Sequence, residues 1–198
     1  MHEPSGPLVL FAAAVTLTPG PNVVLVTASA ANFGFRRTIP QMLGITLAFG
    51  LMIMAAGLGL AAVVHAEPRL HIALKYTGAA YLLYLAWRIA RADAARGTAA
   101  RSRPIGFMAA SLFTWLNPKA WMSTLGALAA FTTADGDLLS ESAVIAFVLA
   151  LACLISVALW AGFGATIGRF LADRRARLAF NGAMAMLLVL SLVPVLFS

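Results

Sequence analysis
The sequence predicts an all-α integral membrane protein: six transmembrane helices, arranged as two inverted three-helix repeats, with helices 1 and 4 broken. Three observations carry that expectation. Of the 198 residues, 62% are hydrophobic and 11% charged, against about 45–50% and about 25% in soluble globular chains. Six segments approach the roughly 17–25 apolar residues that a spanning helix needs. Two of those segments, the first and the fourth, are interrupted by proline at matching positions.

The first span runs from about Leu8 to Ala31 and contains Thr18-Pro19-Gly20-Pro21-Asn22. Proline lacks an N–H and clashes with the carbonyl four residues back, so the carbonyls of Val15 and Leu17 lose their helical partners. Thr18 and Gly20 each precede a proline and are pushed away from helical geometry. Hydrocarbon tolerates freed backbone groups only where protein or a wet cavity satisfies them. The break is therefore expected to line a cavity at the membrane midplane. Ala28-Ser29-Ala30 has the look of a signal-cleavage site, but Met1 to Pro7 carries no Lys or Arg and the apolar core is too long, so a retained span is expected.

The second span is expected at about Gln41–Val64, the third at about Ile72–Ile89 and the fourth at about Ile105–Phe131, interrupted at Asn117-Pro118-Lys119. The fifth is expected at about Ser142–Ile167 and the sixth at about Leu178–Phe197. The chain reads as a single membrane domain: repeat one over about 8–90, a cytoplasmic connection over about 91–104, and repeat two over about 105–198. A shift of 97 residues places Ala13 on Ala110, Pro21 on Pro118 and Thr27 on Thr124. Gly78 and Gly182 fall at comparable depth in the third span of each half. Three spans per half is an odd number, so the second half must be inverted. Paired broken helices in inverted halves are the best sequence pointer to a transporter's midplane site.

All but three of the fourteen basic residues fall in alternate connections or beside them: Arg36 and Arg37, then Arg88, Arg91, Arg96, Arg101 and Arg103, then Arg169, Arg174, Arg175 and Arg177. This is the positive-inside pattern, which puts those connections in the cytoplasm and both termini outside. The net charge of +7 is therefore an orientation signal. It forms no single basic face for nucleic acid.

Lys119 lies about fourteen residues into the fourth span, too deep to snorkel easily. A central Lys costs about 2.5–3.5 kcal/mol on insertion scales. Two readings stand side by side: a partner for a substrate carboxylate, or a donor to the carbonyls freed by the prolines. Acidic side chains are missing from all six spans. No midplane carboxylate is there to pair with a cationic substrate side chain, so a neutral amino acid suits the site better than lysine or arginine. Asn22 and Asn117 flank the breaks and either hold substrate groups or cap the restarted half-helices. The candidate binding set is Thr18, Pro19, Gly20, Pro21, Asn22, Asn117, Pro118 and Lys119.

The remaining residues carry less. Trp115 and Trp121 bracket the second break as packing residues or pocket walls. Tyr76, Tyr81 and Tyr84 read as packing or interfacial anchors. Ala158, Gly162, Gly164 and Gly168 have the small-residue spacing of close helix packing, within the chain or in a homo-oligomer. His2, His65 and His71 lie in outer segments away from Cys and paired carboxylates, so no metal site is expected. The lone Cys153 excludes an internal disulfide and a two-thiol relay. No catalytic motif and no cofactor site is found.

Leu17-Thr18-Pro19-Gly20-Pro21-Asn22 resembles the signature of the lysine-exporter (LysE/RhtB) superfamily of amino-acid efflux proteins. Phe113-Thr114-Trp115-Leu116-Asn117-Pro118-Lys119-Ala120 and Gly78-Ala79-Ala80-Tyr81-Leu82-Leu83-Tyr84-Leu85 support the resemblance, which covers essentially the whole chain. It implies a bacterial inner-membrane exporter of amino acids or their derivatives, driven by the proton or ion gradient, and not an enzyme. Two other classes remain: efflux of a different small metabolite or drug, and a six-span membrane enzyme or redox conduit. The topology expectation has a direct check. A reporter fused after Ser198 that works only outside the cytoplasm is expected to be active, and its cytoplasm-only counterpart silent.

Overall fold
The computed structural model describes residues 5–60, 68–91, 104–133, 136–171 and 173–193. His2, Glu3, His65, Glu67, Asp93, Arg96, Arg101, Arg103 and Asp135 lie outside the described residues, as do the side chains of Arg69 and His71. Every regular element among the described residues is helical: α1 (Ser5–Leu17), α2 (Pro21–Phe33), α3 (Phe35–Ala55) running into a π turn (Ala56–Leu60), α4 (Pro68–Ala90), α5 (Phe107–Trp115), α6 (Pro118–Phe131), α7 (Leu138–Phe170) and α8 (Arg174–Leu190).

The breaks fall where the prolines require them. α1 stops at Leu17, α2 restarts with Pro21 as its first residue, and the two axes differ by 57°. α5 stops at Trp115 and α6 restarts with Pro118 as its first residue. Proline suits that position, because the first helical N–H has no intrahelical acceptor to lose. Most helices start a few residues from the expected positions, and α3 shows the largest such shift. α3 begins at Phe35, six residues before Gln41, and carries Pro40 inside its second turn. Arg36 and Arg37 are exposed at this helix end, where charged heads reach water while their stems stay with the helix. Gly34 turns the chain from α2 into α3 at φ 83°, a left-handed conformation that glycine adopts without a Cβ penalty.

Among the described residues two helices are each long and apolar enough to cross a bilayer: α3 with its π turn (26 residues) and α7 (33 residues). The bent pair α1 and α2 passes the same test when its two parts are taken together as one broken span. Outward faces are apolar, with Leu10, Met108, Met122, Phe147 and Leu159 all exposed. In a soluble domain that surface would be a liability, whereas against lipid it is the expected face. The chain is a multi-pass membrane protein built of helices.

Small residues set the register. A Cβ on Gly164 would collide with the Thr27 carbonyl, and one on Gly168 with the Ala31 carbonyl. So α7 runs parallel to α2 in backbone contact, and Gly164 and Gly168 serve packing inside the chain, whereas a Cβ at Gly162 would meet nothing within 4 Å. α3 and α7 run antiparallel, with Gly50 beside Ala150 and Ala146, and Gly57 against Ser142. α4 is antiparallel to α5: Gly78 abuts the Leu116 carbonyl, and Tyr81 Oη donates to Ala109 O at 3.1 Å. Near the arginine-rich end, Asn32 and the fully buried Asn181 exchange amide hydrogen bonds of 2.7 and 3.2 Å across α2 and α8. At the other end Asp137 caps α7 through Leu139 N. The Ser140 hydroxyl, bonded to its carboxylate, holds Asp137 below its ordinary pKa.

Gly78 and Gly182 occupy comparable positions by sequence, yet their surroundings differ. A Cβ at Gly78 would lie 2.5 Å from the Leu116 carbonyl, whereas one at Gly182 would meet nothing within 4 Å. Gly78→Ala and Gly164→Ala are therefore expected to lower the melting temperature in detergent, because a backbone must move. Gly182→Ala should hold or raise it, by up to about 1 kcal/mol of helix propensity.

Candidate functional site
Between Leu17 and Pro21 the backbone of Thr18, Pro19 and Gly20 leaves the helix. Thr18 N still donates to Ala14 O at 3.3 Å, and the α2 ladder resumes with Val24 N to Gly20 O at 3.0 Å. The carbonyls between them need donors from elsewhere. Ser156 Oγ, from α7, donates to Thr16 O at 2.7 Å. Lys119 Nζ, from α6, donates to Thr18 O at 2.6 Å. Proline counting pointed to Val15 and Leu17. The carbonyls that gain these side-chain donors are Thr16 and Thr18, because the amides of Gly20 and Asn22 have moved off the helical path as well.

The second break is handled differently. Asn117 is the N-cap of α6, and its side-chain oxygen accepts from Lys119 N at 3.1 Å. Asn117 N turns back to Thr114 O at 3.2 Å, taking the acceptor that Pro118 cannot use. Trp121 Nε1 donates to Trp115 O at 2.8 Å, and the two indoles meet edge to face at 6.1 Å. Both tryptophans thus close the break rather than wall the cavity.

The two breaks face each other across one cavity. It is lined by Thr18, Gly20, Pro21, Asn22, Asn117 and Lys119 from the expected set. Pro19 and Pro118 shape the backbone without lining it. The cavity also has walls that sequence reasoning missed: Val15, Thr16 and Val23 beside the first break, Ala120 and Ser123 along α6, Phe49 on α3, and Cys153 and Val157 on α7. The cavity volume is about 50 Å³, and its polar lining makes it a place that water can occupy. Phe49, Cys153 and Val157 sit near mid-helix in runs of apolar residues, with no local signal that sets them apart.

The polar groups in the cavity are unequal. Lys119 is half-buried and carries the charge. Asn22 Nδ2 makes a long 3.5 Å contact to Thr114 Oγ1, and its buried Oδ1 has no partner among the described residues. α2 has no side-chain cap on its first amides, because its N-cap is Gly20. So Lys119 Nζ, the amides opening α2 and Asn22 Oδ1 are available to a ligand, while the side-chain oxygen of Asn117 is used in its cap. Among the described residues no Asp or Glu lines the cavity.

A model of the family described as LysE type translocator matches residues 13–195. The cysteine/O-acetylserine efflux proteins of Salmonella choleraesuis (strain SC-B67) and Salmonella typhimurium (strain LT2) are 32% identical to the chain, with 91% of each sequence covered. The protein of the same name from Escherichia coli (strain K12) is 29% identical over the same share. No solved structure gives a significant match.

The capping role of Asn117 is open to measurement. Asn117→Ala should cost about 0.5–2 kcal/mol of stability, read as a lower melting temperature in detergent. Asn117→Ser, which keeps an acceptor at the cap, should recover most of it.

Proposed function
The chain belongs to the LysE type translocator family, and on that premise we propose that it exports small neutral amino acids or their derivatives from the bacterial cytoplasm. The observation that carries this reading is the placing of the Lys119 ammonium. It lies beside Gly20, at the N-terminus of α2, and it is itself the second residue of α6. Helix N-termini are the positive ends of helix dipoles, each worth about 0.3–1 kcal/mol to a nearby charge and up to about 2 in partly buried sites. Thr18 O, at the C-terminal end of α1, attracts the ammonium, but the two N-termini disfavour it, and among the described residues no acidic side chain in the cavity offsets that. A ligand carboxylate does.

The amino-acid zwitterion fits by insertion. Its carboxylate takes the Lys119 ammonium and the open amides of α2. Its ammonium takes Thr18 O, released by Lys119, and Asn22 Oδ1. One charge-assisted hydrogen bond inside the protein is exchanged for several to the substrate. The side chain then points toward Phe49, Cys153 and Val157, a wall without charge. A short neutral group is accepted there, and a lysine or arginine side chain finds no counter-ion. The named cargo of the relatives, cysteine and O-acetylserine, is of that class.

The reading includes six crossings in two inverted halves. The registers support it: α2 parallel to α7, α3 antiparallel to α7, and α4 antiparallel to α5 are the directions that six alternating spans require. α1 packs on α7 and α5 on α3, so the first part of each broken span rests on the second span of the other half. With the arginine-rich end in the cytoplasm, both termini face outward from the inner membrane. Rocking of the halves about the cavity opens it to one side at a time, and the proton or ion gradient drives the cycle.

Everted vesicles with an imposed proton gradient test this. They are expected to accumulate O-acetylserine unchanged, and Lys119→Ala is expected to cut uptake at least about tenfold, the loss of a charge-assisted bond of about 1.5–3 kcal/mol. Unaltered uptake at normal protein level would remove Lys119 from the binding role. Accumulation of an unrelated drug in place of O-acetylserine would point to a different cargo.

A further inference from the structure
We infer that Gly20 is a positioning residue for Lys119: its missing side chain is the slot that holds the ammonium at the first break. The backbone does not require glycine there. Gly20 has φ −159° and ψ −177°, an extended conformation that L residues adopt freely. What excludes a side chain is room. A Cβ at Gly20 would lie 2.8 Å from Lys119 Cδ, 2.9 Å from Nζ and 3.4 Å from Cε. All three of its nearest neighbours belong to that one side chain. Gly34 is the opposite case, with φ 83° and nothing within 4 Å of the added atom.

The consequence runs through Lys119. Its Nζ reaches Thr18 O at 2.6 Å only by passing over the Gly20 Cα. Lysine is flexible, so a methyl group at position 20 does not break the fold. It pushes the lysine stem aside and takes the ammonium off Thr18 O. That carbonyl then loses its donor within the membrane, and the ammonium leaves the N-terminus of α2. The same absence of a side chain leaves the α2 amides uncapped. One glycine therefore places the cation and keeps open the backbone donors beside it.

A double-mutant cycle on the purified full-length protein tests the inference, with melting temperature in detergent as one readout. Gly20→Ala is expected to lower it by about 2–4 °C or more. In a Lys119→Ala background the same change should cost nothing beyond about 1 °C, because the obstructing atoms are gone. A Gly20→Ala protein that accumulates only when Lys119 is also alanine supports the same conclusion. An equal fall in both backgrounds would falsify it, because glycine would then serve backbone or packing alone. So would the absence of any fall in either background. The second readout, O-acetylserine transport in proteoliposomes, rests on the amino-acid site proposed above. There Gly20→Ala should raise KM about tenfold, one lost contact of about 1.4 kcal/mol, with Vmax largely kept. A fall in Vmax at unchanged KM would count against positioning. If the unsubstituted protein moves no O-acetylserine while the melting cycle behaves as expected, the cargo assignment fails and the role of Gly20 stands.

Discussion
Backbone groups freed inside a membrane must find partners, and most of what is distinctive in this chain follows from how it meets that demand. The breaks at Thr18–Gly20 and Leu116–Asn117 leave carbonyls without helical donors. Thr114 O is taken by the backbone of Asn117, and three others draw in a side chain: Ser156 to Thr16, Lys119 to Thr18, Trp121 to Trp115. Two of these three bonds join different spans. α1 is thereby tied to α7 and α6 by its own broken end. In a soluble protein, water could satisfy the same groups at little cost. In hydrocarbon each unsatisfied group costs several kcal/mol, so the break is also a clamp.

A clamp made with a charged donor differs from one made with a hydroxyl. Ser156 satisfies Thr16 and is finished. Lys119 satisfies Thr18 but keeps its positive charge beside the N-terminus of α2, in a cavity that no described Asp or Glu lines. On the proposed function, the two readings of Lys119 that the sequence left side by side, structural donor and substrate partner, become successive states of one group. The bond to Thr18 keeps the fold intact in the absence of cargo, and its exchange for a carboxylate admits the cargo.

Much of this was legible from residue order. The positions of both breaks, the depth of Lys119 and the lack of acid in the spans are local properties of the sequence, and proline fixes its own neighbourhood. What was not legible depends on partners far along the chain. Ser156 meets Thr16 across 140 residues and Asn32 meets Asn181 across 149, and nothing local marks either pair. Nor did sequence tell Asn22 from Asn117, since which asparagine caps and which keeps a free oxygen depends on where the helix restarts. Equivalent positions also parted in structure. Thr27 Oγ1 bonds Val23 O at 2.8 Å, while the buried Oγ1 of Thr124 has no partner among the described residues.

That divergence bears on how the site works. The shift that lays Pro21 on Pro118 lays Gly20 on Asn117 and Asn22 on Lys119. Both prolines open a helix, but the residue before each differs. Asn117 closes its helix N-terminus on itself, and Gly20 leaves its own open. The residue after each differs in turn, an amide in the first half and an ammonium in the second. Two identical halves would present either two cations, which repel, or none. Here one half supplies the charge and caps its own backbone, while the other supplies open amides and the space the charge needs. The proposed anion site therefore belongs to neither half alone. If the halves rock apart, Lys119 and the N-terminus of α2 separate and the carboxylate loses one of its two holds. Release is then a consequence of the same motion that opens the cavity, and no separate ejecting group is required.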